Sequence, residues 1–562
     1  MNMINIPLLQ SLPRPSRREE MFPELADGPV GRLIERGRVR QVVRGEVLVE
    51  LGQSSTLFFV VISGEIETVR PGAKGEQIVA VLGPRMFTGE ANLLSGRRGL
   101  NQLRVSQPGE IVELKREQLL ELVQTDSELS DILMRAFILR RVELIEQGLG
   151  DVVLLGSSNC ADTLRIKEFL TRNDHPYAWI DLEHDASVQD LLDHFQVSQQ
   201  DVPVVICRDK VVLRNPTNQQ IAGCLGFNDS IEQTHVRDLV IVGAGPSGLA
   251  AAVYGASEGL EVLMLDADSP GGQAGSSSKI ENYLGFPTGI SGQELSARAY
   301  MQAQKFGAQL LIAEGATKLA CDGKPYSIVL DSGVRIPARG IIIATGAQYR
   351  RLRLENMSQF EGSGIYYGAT FMESQLCRGE EVIVVGGGNS AGQAAVFLSQ
   401  TCKRVNLLIR SEGLAKTMSR YLIRRIEQSP RIVLRPHTEI VELSGDAHLE
   451  KVSWRNNQTE ESESHAIRHV FVMAGAVPNT GWLEGCVARD ANGFIKTGPD
   501  LSDEDLAEAG WDSTRQPMLL ETSLPGVFAV GDVRSGSTKR VAAAVGEGSI
   551  AVALVQQVLK AA

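Results

Sequence analysis

The sequence predicts an α/β protein in which two doubly wound, Rossmann-like units follow a smaller α/β segment and an N-terminal β-barrel or jelly roll with a trailing helix. Three observations predict it. Apolar β-runs alternate with helical segments from residue 236 to 562, the pattern of helices packed on parallel sheets. A glycine-rich turn occurs twice in that stretch, each time after a β-run and before a helix. Residues 21 to 125 carry short strands with period-two alternation and glycine turns, as small antiparallel barrels do.

Along the chain, residues 1–20 read as a tail. GEVLVE, TLFFVVISGEIETVR, QIVAVLGP and GEIVELK read as barrel strands, and an amphipathic helix is expected from Glu117 to about Glu146. Gly148-Leu149-Gly150 ends it, which bounds a first domain at 21–150. Residues 151–230 then run strand (DVVLLGS), helix (ADTLRIKEFLTRN), strand (PYAWIDL), helix (VQDLLDHF), strand (VPVVIC), strand (KVVLR) and a short helix. A polar joint, NDSIEQTHVRD, leads into the doubly wound part.

At 562 residues the chain is too long for one core. Its 56 glycines exceed the ~7 % of average usage, as a protein with several tight nucleotide turns requires. A formal net charge of −12 gives no support for nucleic-acid binding. No apolar run approaches the ~18 residues that span a bilayer, and the N-terminus lacks the basic region of a signal peptide, so neither a membrane partner nor export is expected. The seven cysteines form no C-x-x-C pair and are odd in number. The expectation is therefore no disulfide framework, no metal site, and a cytoplasmic, reducing location.

The first glycine turn is Gly243-Ala244-Gly245-Pro246-Ser247-Gly248, after Leu239-Val240-Ile241-Val242. Gly243 makes the tight turn, Gly245 admits a pyrophosphate, and Gly248 lets the helix pack closely. The helix N-terminus supplies N–H groups and positive dipole to the phosphates. Asp266 ends the next strand, about 20 residues on, where a carboxylate can bond ribose hydroxyls. The second turn is Gly386-Gly387-Gly388-Asn389-Ser390-Ala391, after Val382-Ile383-Val384-Val385. Here Ile409 and Arg410 occupy the place of Asp266 and its neighbour. An arginine there accepts a 2′-phosphate that a carboxylate would repel, which favours NADPH over NADH.

From Val236 to the C-terminus the sequence resembles the thioredoxin-reductase branch of the two-dinucleotide flavoproteins. GAGPSGLAAA, GGQAGSSSKIENYLGFP, IIIATGA, VVGGGNSA, GAVPNT, GFIKT and TSLPGVFAVGD carry the resemblance in order and spacing. It implies an FAD domain from residues 236–351 and 477–562 and an inserted NADPH domain from 352–476. It implies that Gly272, Gln273 and Asn282 border the flavin and that Thr345 and Gly346 close the first FAD piece. Asp532, after Gly531, binds the ribityl chain in that family, and Arg540-Val541-Ala542 sets a helix N-terminus near the flavin pyrimidine. One departure bears on chemistry: the family's Cys-Ala-Thr-Cys is here Gly368-Ala369-Thr370-Phe371. Without a thiolate there, the usual route to a thioredoxin disulfide is closed. Cys377, six residues beyond, reads as structural.

Residues 151–230 resemble a glutaredoxin or thioredoxin fold, with Asp201-Val202-Pro203 at the expected cis-proline position. Cys160 falls where the first redox cysteine sits and Thr163 where the second would be. A helix N-terminus at Cys160 favours thiolate, while a degenerate domain with no redox role is the other reading. Residues 21–146 resemble a cyclic-nucleotide-binding barrel through Phe87-Thr88-Gly89-Glu90-Ala91-Asn92-Leu93-Leu94. In that family the glutamate binds the ribose 2′-hydroxyl and an arginine about ten residues on binds the phosphate. Here that slot falls at Gly99-Leu100, with Arg97, Arg98 and Arg104 nearby. A degenerate regulatory or dimerisation module is the preferred reading, and a bound cyclic nucleotide the alternative.

The function expected is an FAD-dependent NAD(P)H oxidoreductase of the thioredoxin-reductase type without its cysteine pair, regulated through the barrel. Its electron acceptor is not legible. The alternatives are an FAD-holding sensor or scaffold without turnover, a disulfide relay through Cys160, and a ferredoxin-linked reductase. Both resemblances imply a homodimer.

Overall fold

The computed structural model describes residues 17–561 except 54–55, 73–74, 147–151, 158–159, 183–200, 208–210, 229–231, 233, 447 and 512–514. The expected helix VQDLLDHF, Gly148-Leu149-Gly150, Ser158, Asn159 and most of the 1–20 tail lie outside the described residues. Two compact units emerge, residues 1–151 and 152–562.

In the first unit two antiparallel sheets form the barrel. One orders strands Arg38–Val42, Gly109–Lys115 and Leu57–Val61; the other orders Val47–Val49, Gln102–Gln107, Glu65–Gly72 and Gly75–Leu82. Arg38–Val42 and Gln102–Gln107, rich in Arg and Gln, were not predicted as strands. They form by pairing with the apolar strands Gly109–Lys115 and Glu65–Gly72. The trailing helix is broken in two, Arg116–Thr125 and Ser127–Glu146, by Asp126, whose Oδ1 accepts the Leu129 N–H at 3.0 Å. Phe58, Phe87 and Phe137 seat that helix on the barrel, with ring centroids 5.9–6.4 Å apart.

The second unit begins with a four-stranded sheet ordered Val211–Arg214, Val204–Cys207, Val152–Gly156, Ala178–Asp181, with the last pair parallel and the others antiparallel. Val202–Pro203 is cis, as the resemblance implied. A seven-stranded sheet follows. Its buried centre, Arg237–Val242, lies parallel between Val262–Asp266 and Arg335–Ile343, and Val527–Ala529 joins the latter from the far end of the chain. Leu239 through Val242 are all buried, as a strand covered by helices on both faces requires. A five-stranded, all-parallel sheet centres on Glu381–Val385. A separate antiparallel sheet of Thr438–Ser444, Lys451–Asn456 and Ser462–His465 stands beside it and was not foreseen. The two chain crossings between the large sheets pair as a short ribbon, Ala347–Gln348 with Val477–Pro478.

Two expectations are corrected. Cys321, just past strand Ala316–Ala320, is disulfide-bonded to Cys486, 165 residues away, with Cα atoms 6.0 Å apart. The sheet brings together two cysteines whose spacing carried no sign of it, and the ground for a reducing compartment falls with it. The helix Val541–Ala561 is, by length and composition, long and apolar enough to cross a membrane. One side of it serves a core, where Ala551, Val552 and Val555 are fully buried against Leu239, Ala251 and Phe528.

Candidate functional site

The two glycine turns are built alike. Gly243 has φ +107°, and a Cβ on it would stand 2.4 Å from the Ala344 carbonyl oxygen. Gly386 has φ +142°, and a Cβ on it would stand 2.5 Å from the Met473 oxygen. In each turn the first glycine therefore lies against the backbone leaving the neighbouring strand, where no side chain fits. Gly248 fixes the helix on its strand, since a Cβ there would meet the Gly243 oxygen at 1.8 Å. Gly245 and Gly388 cap helices Pro246–Ser257 and Asn389–Leu398. A Cβ on Gly388 would meet nothing within 4 Å, and one on Gly245 only the Gly272 Cα at 4.0 Å. That open space at two helix N-termini fits dinucleotide pyrophosphates.

Around the first turn, Asp266 Oδ2 accepts the Ala244 N–H at 2.7 Å and Oδ1 the Asp268 N–H at 2.9 Å. Burial pushes its carboxyl above the usual range, partly opposed by those bonds. Gly531 closes on Ser247, whose Oγ would lie 2.6 Å from an added Cβ, and its N–H donates to Glu547 at 2.7 Å. Asp532 follows at the sheet's C-terminal edge, half-buried, its carboxyl raised by burial. Thr345 and Asn479 tie the two crossings: Thr345 Oγ1 donates to the Asn479 oxygen at 2.9 Å, and Asn479 Nδ2 to the Thr345 oxygen at 2.8 Å. The terminal helix Val541–Ala561 opens with Val541 and Ala542, directly after Arg540.

Around the second turn, buried Ile409 supports Gly387, with its Cγ2 at 3.6 Å from an added Cβ. Arg410, next to it, is exposed. Thr417 Oγ1 donates to the Gly387 oxygen at 2.7 Å, and Asn389 Oδ1 accepts the Ser419 N–H at 2.8 Å. Ala391 is fully buried under the turn.

The two halves meet at a cavity of about 50 Å³ whose wall includes Gln273, Ser276, Tyr349, Gly368 and Ser390. Tyr349 was not singled out from the sequence. Burial pushes its hydroxyl pKa up, and the charge of Asp532 in the first half adds to that rise. Gly368-Ala369 runs alongside Ser277 in a parallel bridge, and a Cβ on Gly368 would lie an ordinary 3.5 Å from Ser276 Cβ. Glu281 and Arg425 form an ion pair between the same two halves.

Other predicted residues stand apart from this cavity. Asn282 is exposed. Cys377 is buried, its Sγ 3.5 Å from Cys402 Sγ. Cys160 is half-buried at the N-cap of helix Ala161–Arg172, and Thr163 is fully buried against Gly156. The far end of that helix, and helix Asn218–Leu225, reach the segment Asp268–Gly272, whose Gly272 packs on Gly245 of the first turn. Arg172 Nη2 donates to the Gly272 oxygen at 3.0 Å, and Asn218 Nδ2 to Asp268 Oδ1 at 2.7 Å.

The pyridine nucleotide-disulphide oxidoreductase family matches residues 237–548, more than half of the chain. The chain belongs to that family. Within it, the chain is thioredoxin-reductase-like: 31 % identical to the thioredoxin reductase of Bacillus subtilis over 328 residues, 58 % of this chain and 96 % of that protein. It is likewise 31 % identical to that of Treponema pallidum over 314 residues, 56 % of this chain and 94 % of that protein. Among solved structures it is similar to Lactococcus lactis thioredoxin reductase in its FR conformation, with TM-score 0.52 and 27 % identity over 58 % of this chain and all of that one. The structure of T. acidophilum thioredoxin reductase matches with TM-score 0.51 and 28 % identity over 57 % of this chain and 99 % of that one. Residues 39–126 match the cyclic nucleotide-binding domain. This member of the family is thus a flavoprotein oxidoreductase carrying an N-terminal barrel of that type.

Proposed function

We propose that this chain oxidises NADPH through FAD and delivers the electrons to an acceptor other than a disulfide of its own FAD/NADPH unit, under control of the N-terminal barrel. In this reading residues 236–351 and 477–562 hold FAD, and residues 352–476 hold NADPH. The observation that carries it is the cavity wall itself. Gly368, at the position of the family's first redox cysteine, faces Ser276 with no sulfur, while Ser390 and Asp532 both act on Tyr349. This wall supports a reading in which the second nucleotide turn faces the flavin without the family's thiols between them.

FAD, when bound, supplies a two-electron acceptor for NADPH and a donor to the next carrier. The chain's own residues bind, align and exclude water. Gly243, Gly245 and Gly248 open the first pyrophosphate cradle, with Asp266 anchored beside it by the turn's own N–H groups. Gly386 and Gly388 do the same for the second, with Arg410 placed for a 2′-phosphate. Arg540, Val541 and Ala542 present a positive helix end where negative charge grows on reduction. Tyr349 and Ser390 face the same cavity from the two halves.

A one-cysteine relay through Cys160 is the second reading. It is favoured by one contact: Ala161, next to Cys160, packs on Gly362, six residues before Gly368. Steady-state NADPH oxidation decides between them. The first reading predicts turnover with ferricyanide and none with an oxidised thioredoxin. Thioredoxin reduction that disappears in Cys160→Ser would establish the relay instead.

A further inference from the structure

The barrel encloses a cavity of about 500 Å³, well inside the ~300–1,000 Å³ typical of small-molecule sites. Its wall is mainly apolar: Val49, Leu82, Leu93 and Leu103 line it, and Met21 and Phe22 cover it. Into this wall Glu90 brings a carboxylate whose side chain is only 12 % exposed. Its Oε2 lies 3.4 Å from Arg141 Nη1, but its Oε1 is buried and has no hydrogen-bond partner. A buried acceptor left in that state is costly unless something donates to it.

The cations nearby are spoken for. Arg140 Nε, Nη1 and Nη2 donate to the Met21, Gly89 and Phe87 oxygens at 2.8, 2.6 and 3.1 Å, beneath the Phe22 and Phe87 rings. Arg104 pairs with Glu67 and Glu76, and Arg17 with Glu143 and Glu146. Arg97 is buried within charge range of Glu90 but does not line the cavity. The slot where a cyclic phosphate would need an arginine is filled by Leu100, 3 % exposed. Arg18 lines the mouth but is exposed, where water and salt screen its charge. An anion entering this cavity would leave water without a dedicated counter-ion, whereas an apolar body with one donor would match the wall.

We propose that the N-terminal barrel is a receptor for a neutral, largely apolar ring compound that donates a hydroxyl or amine hydrogen bond to Glu90, and that it does not take a cyclic nucleotide. Calorimetric titration of the full-length, FAD-loaded protein tests it with three probes: 2-naphthol, 2-methoxynaphthalene and cyclic AMP. The rings of the first two are the same, and only 2-naphthol carries a donor. The expected result is saturable 2-naphthol binding, at least ~10-fold weaker binding of 2-methoxynaphthalene, and none of cyclic AMP. In Leu103→Trp, which fills the cavity, 2-naphthol binding is lost at an unchanged stoichiometry of flavin. Three outcomes overturn the proposal: no saturable 2-naphthol binding, equal binding of the two naphthalenes, or saturable binding of cyclic AMP. The probe comparison on the unaltered protein needs no variant to fold. None of these readings depends on NADPH turnover, so a failure here leaves the proposed reaction standing, and the reverse.

Discussion

Arg172 joins the helix Ala161–Arg172 to the Gly272 turn, which we propose borders FAD, and its removal makes a quantitative prediction. Its guanidinium, 14 % exposed, donates to the Gly272 oxygen at 3.0 Å and the Ser269 oxygen at 3.4 Å, and pairs with Asp268 at 3.3 Å and Glu168 at 3.4 Å. Only the bond to Gly272 is short, and a charged hydrogen bond of that kind is worth about 1.5–3 kcal/mol. The longer contacts and the pair with Asp268, whose side chain is 45 % exposed, add little in water. Arg172→Ala therefore costs about 2 kcal/mol at the Gly272 turn, a ~30-fold rise in the FAD dissociation constant. A pH arm sharpens the test. Burial already holds the Glu168 carboxyl above its ordinary range, and Arg172 opposes that. A carboxyl raised on folding favours the native state at low pH and loses that stability as pH rises through its folded value. Without Arg172 the Glu168 value climbs further, so the variant's melting temperature falls below wild type by more at about pH 8 than at about pH 5. The effect is small because Glu168 is 36 % exposed. The assay is flavin release on dilution, followed by fluorescence, with Arg165→Ala as control. Arg165, on the same helix, bonds Asn218 and the Pro216 oxygen within its own segment. Equal flavin retention in Arg172→Ala and Arg165→Ala would show that the Arg172–Gly272 bond does not support the flavin.

Three further outcomes are expected. Ellman titration of the native protein finds two reactive thiols, the part-exposed Cys160 and Cys224, because Cys207, Cys377 and Cys402 are buried and Cys321 and Cys486 are bridged; unfolding without reductant raises the count to five, and with reductant to seven. Arg410→Ala raises KM for NADPH by about tenfold and leaves KM for NADH unchanged, since only the former carries a 2′-phosphate. Gly368→Cys combined with Phe371→Cys acquires NADPH-driven reduction of Ellman's reagent, absent from the wild type, because the backbone beside Ser276 accepts a Cβ at position 368 without a clash.

The parts of the fold legible in sequence are those where one residue type is forced by backbone geometry. Gly243 and Gly386 sit where a Cβ would strike a carbonyl, so their turns could be read without knowing the sheets. Asp266 and the strand ends fall at fixed distances from those turns, and the cis Val202–Pro203 follows a local motif. What depended on long-range pairing was not legible. The Cys321–Cys486 bridge spans 165 residues, and strands Arg38–Val42 and Gln102–Gln107 owe their form to partners rather than to their own polar sequences. The role of Tyr349 was hidden because a lone tyrosine carries no spacing, and its two neighbours lie 41 and 183 residues away in the chain, at Ser390 and Asp532. Arg172 was hidden likewise, since its helix read as part of a separate segment.

In the proposed reaction NADPH reduces the flavin of a unit that carries Gly368 and Phe371 where the family has its redox cysteine pair. Anaerobic stopped-flow mixing of the FAD-loaded protein with one equivalent of NADPH tests it most directly. The expected result is an oxidised-flavin band that bleaches in a single turnover and stays bleached until an external acceptor such as ferricyanide is added, with no new thiol titrated. A band that never bleaches, or a bleached band that returns without oxidant as two new thiols appear, would contradict it.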